Sequence, residues 1–198
     1  MSITVTSIAE EFASRREALI LAVKRQSLSP GRDFCLALSQ AADEALVAVL
    51  SLAEHENQAE GRLAVVATGG YGRKELSPFS DIDISIIPKR DNDQSLSPLL
   101  RFLFKAVNTV FSQGSRMGVG YNLRLTSDLP GLDSKTRSSL MDMRWVAGDP
   151  GAVERLESGF WADFPVGPYL VEKLAERELA LSRTHATPGV VEPDLKNG

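Results

Sequence analysis

The chain has 198 residues, with 22 Lys and Arg against 26 Asp and Glu, a formal net charge of -4 and 43% hydrophobic residues. At roughly 100–200 residues per domain, this length predicts one substantial domain, or one domain with a helical extension. The mild acidity argues against a protein that coats nucleic acid, because phosphate binding requires concentrated Lys and Arg. The single cysteine, Cys35, excludes an internal disulfide and favours a reducing, cytoplasmic location.

Apolar residues at helical spacing predict two helices between about residues 6 and 56. The segment 27–31 separates them, because Pro30 and Gly31 are strong helix breakers. The N-terminus lacks the basic and apolar segments of a signal peptide, and no run of about 18 apolar residues predicts a membrane span. We therefore expect residues 1–58 to form an N-terminal helical segment.

Two short, almost wholly apolar runs predict buried strands at 63–68 and 82–87. A glycine-rich connection joins them. Further along the chain, apolar spacing predicts a helix over 96–111, and a loose alternation predicts a third strand over 117–125, although its glycines weaken that pattern. These elements define a predicted core at 59–130.

The remaining segments 134–147, 151–160 and 168–182 show helical spacing, so residues 131–184 are predicted to be a helical arm. The last segment, 185–198, has no apolar periodicity and is predicted to be extended or disordered. The fold class predicted from these elements is α/β (α+β): a small mixed sheet with a helical N-terminal segment and a C-terminal helical arm.

Two carboxylates at the head of the second strand are the first candidate site residues. Asp81 and Asp83 are two apart, so strand alternation places both on one face, while Ile82 and Ile84 face the opposite side. Paired carboxylates repel one another unless a cation neutralises them, and hard oxygen ligands suit Mg²⁺ or Mn²⁺. An isolated Asp-x-Asp is more often only a solvated strand end, so the pair needs support from its surroundings.

The glycine-rich connection supplies that support. Gly69 and Gly70 allow a close backbone approach to a ligand, and a helix beginning near Tyr71 would direct free N–H groups at an anion. A Gly-Gly-x-Gly run alone is often only a tight turn, and neither a P-loop nor a complete G-x-G-x-x-G motif is present. A triphosphate between this turn and metal on the carboxylates predicts nucleotidyl transfer.

The run from 69 to 83, GGYGRKELSPFSDID, closely resembles the signature of polymerase-β-like nucleotidyltransferases, in the version of bacterial protein-PII uridylyltransferase/uridylyl-removing enzymes. Weaker similarity continues at 119–124 (VGYNLR) and 147–149 (AGD). It returns at 173–177 (KLAER) and 192–198 (EPDLKNG). The resemblance therefore extends from about residue 60 to the end of the chain, and the first run is the most specific part.

The resemblance implies a nucleotidyltransferase fold and Mg²⁺-dependent or Mn²⁺-dependent transfer of UMP from UTP to a tyrosine hydroxyl of the nitrogen-signalling protein PII, with release of pyrophosphate. Nucleic acid is not the expected partner. The roles that it implies are Asp81 and Asp83 as metal-binding catalytic carboxylates, Arg73 as a catalytic helper, and Gly69, Gly70 and Ser80 as phosphate contacts.

Two departures from the family pattern leave alternatives open. These enzymes generally use a third carboxylate on a later strand, and the matching region 113–119 contains none; Asp128 is the nearest acid beyond it. A nucleotide-binding regulatory module with little turnover is therefore the alternative, and addition to RNA or a small molecule is a third possibility. The family also has HD-type and ACT domains, and no His-Asp motif occurs here, so we expect a transferase module of a larger enzyme.

Overall fold

The computed structural model describes residues 3–184. The predicted extended tail at 185–198, and with it the family-like segment 192–198, lies outside the described residues. Within them, helices alternate with the strands of a single four-stranded sheet. The predicted fold class, a mixed α/β arrangement with a small sheet, is confirmed.

The N-terminal segment forms the two predicted helices, α1 (Val5–Lys24) and α2 (Arg32–Asn57). α1 begins with a capping box, in which the Ser7 N–H donates to Thr4 Oγ1 at 3.1 Å and the Thr4 N–H donates to Ser7 Oγ at 3.0 Å. The helices are separated where the sequence predicts, and Gly31 immediately precedes α2 with a φ of +82°.

Helix α2 is long and apolar enough, by length and composition alone, to cross a membrane. Its apolar stripe lies in the core of the protein, against α1, α4 (Ser97–Val107) and the sheet. Leu38, Leu46 and Val49 are each 0% exposed. Packing inside the protein therefore accounts for its composition.

The sheet consists of β1 (Leu63–Ala67), β2 (Ile82–Pro88), β3 (Val119–Leu123) and β4 (Arg144–Gly148). The strand order is β3-β2-β1-β4. β1 is antiparallel to both of its neighbours, whereas β2 and β3 are parallel, so the sheet is mixed. All five residues of β1 are buried, as expected for a central strand covered on both faces.

Alternation along the strands divides the sheet into two faces. On one face, Ile82, Ile84 and Ile86 join the large apolar cluster formed with α1, α2 and α4. On the other face, Ile87 joins a smaller cluster with residues of α5 (Ser134–Met141) and α6 (Pro150–Ala162). We call this second face of the sheet the carboxylate face, because Asp81 and Asp83 belong to it by the same alternation.

The helix predicted over 134–147 is wrong in its second half. Residues 134–141 are helical as α5, but Arg144–Gly148 forms strand β4, which pairs with β1. Leu140, Met143 and Ala147 have helical spacing, whereas Met143, Trp145 and Ala147 alternate as in a strand, so the apolar pattern permits either structure. Residues 144–148 form a strand because they supply hydrogen-bond partners to the edge of β1 that β2 leaves free. The predicted helical arm at 131–184 therefore contributes a strand to the sheet.

The C-terminal helix α7 (Val166–Thr184) is attached to α5 by polar contacts. Tyr169 Oη and Ser138 Oγ are 2.9 Å apart, and Ser134 Oγ donates to Glu176 Oε1 at 3.3 Å. These bonds fix α5 from its outer side, over the carboxylate face of the sheet.

Candidate active site

The two candidate carboxylates lie at the start of β2, on the carboxylate face. Asp81 and Asp83 are exposed, whereas Ile82 and Ile84, which alternate with them, are 0% and 1% exposed. The two isoleucines anchor the strand in the core. Their burial therefore fixes the direction in which both carboxylates project.

Gly118, immediately before β3, and Gly120, within β3, provide the space in which these carboxylates lie. Gly120 is paired with Asp83, and the Ile82 N–H donates to Gly118 O at 2.8 Å. A Cβ added at Gly118 would stand 2.8 Å from Cγ of Asp81, and one at Gly120 would stand 3.5 Å from Cγ of Asp83 and overlap its Oδ1. These two glycines weaken the strand pattern in the sequence. In the structure, their lack of a side chain allows the Asp81 and Asp83 carboxylates to approach the backbone closely.

The pKa of the Asp83 carboxyl is raised above its ordinary value. The first cause is partial burial, which removes water from the charged form, and the second is repulsion by Asp81; Lys135 acts in the opposite direction. The pair is therefore held together at an electrostatic cost. A divalent cation bound between the two carboxylates would remove that cost, and their hard oxygens on an exposed face fit such an ion.

The glycine-rich connection begins directly beside Asp83. The Thr68 N–H donates to Asp83 O at 3.0 Å, and a single helical turn, α3 (Gly69–Gly72), follows with Gly69 at a φ of +57°. The first backbone hydrogen bond of this turn is donated by the Gly72 N–H to Thr68 O, at 3.0 Å. The N–H groups that precede it remain available to an anion near the carboxylates.

Comparison with curated proteins finds relatives with one shared description, bifunctional uridylyltransferase/uridylyl-removing enzyme. The chain is 31% identical over 175 residues to the protein of Gluconobacter oxydans and 33% identical over 147 residues to that of Erythrobacter litoralis. It is 30% identical over 175 residues to that of Acinetobacter baylyi. These alignments cover 85%, 69% and 84% of the chain, respectively.

The chain is related to the bifunctional uridylyltransferase/uridylyl-removing enzymes. It spans only 15–18% of the length of these three relatives. No protein-family model matches the chain. The relationship therefore concerns a nucleotidyltransferase-related domain, and the resemblance carried by the run from 69 to 83 is consistent with it.

In this uridylyltransferase relative, Arg73 stands beside the glycine turn. Its Nε donates to Glu75 Oε2 at 2.7 Å, and its Nη1 forms an ion pair with Asp142, which follows α5. Its Nη2 lies 4.0 Å from the position that a Cβ of Gly70 would take. Arg73 therefore joins the glycine turn to α5, and about half of its side chain is exposed.

Ser80, the remaining predicted phosphate contact, is engaged within its own loop. Its Oγ accepts the Ser77 N–H at 3.0 Å and lies 2.8 Å from Ser77 Oγ. The structure thus brings Gly69, Gly70 and Arg73 to the Asp83 side of the site. It places the Ser80 hydroxyl in the turn that leads to Asp81.

A partly buried polar network, which the sequence analysis did not predict, contacts the glycine turn. The Tyr71 hydroxyl donates to Asp43 Oδ1 at 2.6 Å, and Arg144 binds both Asp43 oxygens at 2.9 and 3.0 Å. Arg144 also donates to the carbonyls of Gly72 (3.1 Å) and Tyr71 (3.3 Å). Tyr71 is 1% exposed, and burial followed by the Asp43 charge raises the pKa of its hydroxyl.

One signal for this network was present in the sequence. Asp43 interrupts the apolar stripe of α2 between Ala42 and Ala45, both of which are buried. A charged residue at the margin of a buried stripe requires a partner. Nothing in the sequence identifies Arg144, which is 101 residues away, as that partner.

The Asp81 and Asp83 carboxylates occupy the space beside Gly118 and Gly120, which leaves no room there for a third acidic side chain. Because Gly118 and Gly120 lie under the Asp81 and Asp83 carboxylates, a side chain at either position would displace one of them. Within residues 3–184, no group of three or more His, Cys, Asp or Glu residues could hold a metal ion. Asp128, the nearest later acid, lies in a 3₁₀ segment beyond the strand.

The cavity between the two N-terminal helices does not include these residues. This cavity, between α1 and α2, is lined by Phe12, Ala41 and Ala45. It lies on the face of the sheet opposite Asp81 and Asp83, and the charged side chains in its lining include Arg15 and Glu44, which pair with each other. The carboxylates and the glycine turn, rather than this cavity, define the candidate site.

Gly120→Ala is expected to displace the Asp83 carboxylate with little loss of fold stability, because the obstructing atoms belong to a short exposed side chain. The affinity for Mn²⁺, measured by titration calorimetry, should fall by about tenfold, since one carboxylate of the pair leaves its position. Gly131→Ala is the matched control, because a Cβ there meets no atom within 4 Å. Equal Mn²⁺ affinities for the two variants would contradict the role assigned to Gly120.

Proposed function

We propose that this domain is a Mg²⁺-dependent nucleotidyltransferase, which transfers UMP from UTP to a tyrosine hydroxyl of a PII-type signalling protein. The observation that supports this best is the placement of Asp83 beside the glycine turn and of Asp81 on the same face, with Gly118 and Gly120 leaving room for the two carboxylates. A solvated strand end would not require such clearance on the neighbouring strand. The family relationship supports the same reaction class.

In the proposed reaction, a bond forms between the acceptor hydroxyl oxygen and the α-phosphorus of UTP, and the bond from that phosphorus to the β-phosphate oxygen breaks. Pyrophosphate leaves, and the hydroxyl proton passes to solvent. Bound Mg²⁺ or Mn²⁺ supplies charge stabilisation on the phosphates and activation of the attacking oxygen. Asp81 and Asp83 hold the ion, the N–H groups of the glycine turn contact the phosphates, and Arg73 assists there.

A protein acceptor is in keeping with the composition of the chain. Its net charge of -4 disfavours an extended RNA surface, which would require concentrated basic residues. The proposal includes a cytoplasmic location. Cys35, which is unpaired and half-buried, is compatible with a reducing compartment.

One observation favours a second candidate function. Since no third acidic group joins Asp81 and Asp83 within residues 3–184, a regulatory module that binds nucleotide without efficient turnover has a structural basis. This candidate retains the glycine turn and the carboxylate pair. It differs from the first only in the rate of transfer.

Label transfer separates the two candidates. Purified protein is incubated with α-³²P-labelled UTP, Mg²⁺ and PII, and label on PII is measured after denaturing electrophoresis. The enzyme proposal predicts Mg²⁺-dependent label on wild-type PII and none on PII whose acceptor tyrosine is replaced by phenylalanine. Nucleotide binding without label would reject the enzyme in favour of the regulatory module, and label on added RNA instead would reject the protein acceptor.

A further inference from the structure

Asp81 and Asp83 are held in place by different parts of the structure. Asp83 lies within β2, where strand pairing sets it opposite Gly120 of β3. Asp81 precedes the strand, which begins at Ile82. The sheet therefore fixes Asp83 directly, whereas the position of Asp81 also depends on the turn formed by residues 77–80, which leads into it.

The 77–80 turn is closed by its own hydrogen bonds. The Ser80 N–H donates to Ser77 O at 3.2 Å, and the Ser77 N–H donates to Ser80 Oγ at 3.0 Å. Its aromatic side chain, Phe79, is 91% exposed and does not anchor the turn in the apolar core. The orientation of the turn relative to the rest of the protein must therefore come from contacts made by its other atoms.

Arg16 of α1 makes such a contact. Its Nη2 donates to Pro78 O at 2.7 Å, which joins two residues that are 62 positions apart in the chain. Among the residues that the structure describes, Arg16 forms no ion pair with a carboxylate within 4.0 Å. Its Nε is buried without a hydrogen-bond partner, so the placement of this guanidinium has a desolvation cost that a solvated surface side chain would not have.

Helix α1 is itself fixed against the segment that leads to β3. Phe12 is 2% exposed, and its ring meets that of Phe111 edge-on, with the ring centroids 4.8 Å apart. The chain continues from there to Gly118, whose missing side chain leaves room for the Asp81 carboxylate. Helix α1 thus contacts both the turn that leads to Asp81 and the segment that leads to the glycine beside it.

We propose that Arg16 is a positioning residue for the candidate metal site. By binding the Pro78 carbonyl, it holds the 77–80 turn, and through the turn it holds the Asp81 carboxylate where a divalent cation can be bound together with Asp83. This proposal rests on the proposed metal-dependent transfer and gives the N-terminal helical segment a role in it. A cation bound by two carboxylates requires both to stay in place, so a shift of either one weakens binding.

Amide hydrogen exchange tests the contact between α1 and the turn without any metal. Arg16→Ala should accelerate exchange of the Ser77 and Ser80 amides by about tenfold, because the turn loses a hydrogen bond from a charged donor. The Ile82 N–H, which donates to Gly118 O, serves as an internal reference and should exchange at the wild-type rate.

Titration calorimetry with Mn²⁺ on the full chain tests the effect on the site. Arg16→Ala should weaken Mn²⁺ binding by about tenfold, and Arg16→Lys should recover most of the affinity, because lysine keeps a charged donor for the carbonyl. Loss of a positive charge alone would strengthen the binding of a cation, so weaker binding indicates a displaced ligand. Loss of folded protein would lower the number of sites titrated but leave their affinity unchanged.

Arg15→Ala is the matched control for both measurements. Arg15 is the adjacent residue of α1 and has the same side chain, but it binds Glu44 of α2 instead of the turn. Its removal loosens α1 without releasing Pro78. The exchange rates at 77–80 and the Mn²⁺ affinity should therefore remain those of the wild type.

The outcomes separate this role from the proposed reaction. Faster exchange and weaker Mn²⁺ binding in Arg16→Ala but not in Arg15→Ala, without label transfer by the wild type, would support the positioning role and reject the enzyme. Label transfer by the wild type with unchanged Mn²⁺ affinity in Arg16→Ala, or with equal losses in Arg15→Ala, would reject the positioning role and leave the reaction standing. Absence of Mn²⁺ binding by the wild type would overturn both.

Discussion

Asp83→Asn is expected to abolish UMP transfer while increasing the free energy of unfolding. Removing one of the two carboxylates removes a metal ligand, and the several kcal/mol that a metal supplies in such reactions correspond to a loss of about 10³-fold in rate. Stability should change in the opposite direction, because the Asn side chain escapes both partial burial of a charge and repulsion by Asp81. The label-transfer assay and urea denaturation at neutral pH measure the two effects separately.

The pH dependence of this stability gain follows from the sign of the pKa shift. A carboxyl whose pKa is higher in the folded state binds its proton more tightly there, so its ionised form destabilises the fold above that pKa. The advantage of Asp83→Asn should therefore be complete at neutral pH. It should decrease as the pH falls through the raised pKa of Asp83 towards the ordinary aspartate value of about 3.9.

Two further variants complete this experiment. Asp81→Asn should lose transfer to a similar extent, because Asp81 is the other member of the pair. Asp128→Asn is the control and should retain transfer, since Asp128 lies beyond β3 and is separate from the pair. Retained transfer in both Asp81→Asn and Asp83→Asn would reject the site, and loss of transfer in Asp128→Asn would identify that residue as a required third acid.

Arg144→Ala is expected to have the largest effect on stability among the site substitutions. The substitution leaves the half-buried Asp43 carboxylate without its bidentate guanidinium partner. It also removes the hydrogen-bond donors to the carbonyls of Tyr71 and Gly72. Loss of these bonds should cost about 2–3 kcal/mol in the free energy of unfolding, measured by urea denaturation. The KM for UTP should also rise, because the glycine turn loses its support, whereas a purely structural role would reduce only the amount of folded protein.

The matched control for Arg144→Ala is Arg15→Ala. Arg15 also forms an ion pair with α2, through Glu44, but both side chains are over two-fifths exposed. Exposed pairs of this kind contribute below about 1 kcal/mol. Tyr71→Phe adds a graded test, because it removes only the hydroxyl that donates to Asp43 and should cost about 1 kcal/mol. Equal destabilisation by Arg144→Ala and Arg15→Ala would contradict the network.

The local sequence pattern predicted some helices and strands correctly and others not. Helices α1 and α2 and strands β1 and β2 were predictable, because apolar spacing and the breakers Pro30 and Gly31 are local properties. β4 was not, since its short apolar pattern suits a helix equally well and only the free edge of β1 selects the strand. The helix predicted to begin near Tyr71 instead begins at Gly69 and ends at Gly72, after which the N–H groups of Arg73 and Glu75 donate to the carbonyls of Gly69 and Gly70.

The sequence by itself determined the reaction class to be tested, through the run from 69 to 83. It also determined that Asp81 and Asp83 lie on one face, because they alternate along the strand with the apolar Ile82 and Ile84, which are buried. Only the tertiary structure decided how that face is built. The parallel register of β2 and β3 puts Gly120 under Asp83, and the sheet brings Arg144 to Asp43 across 101 residues of chain. Such partners depend on strand pairing between distant segments, which periodicity in one segment does not encode.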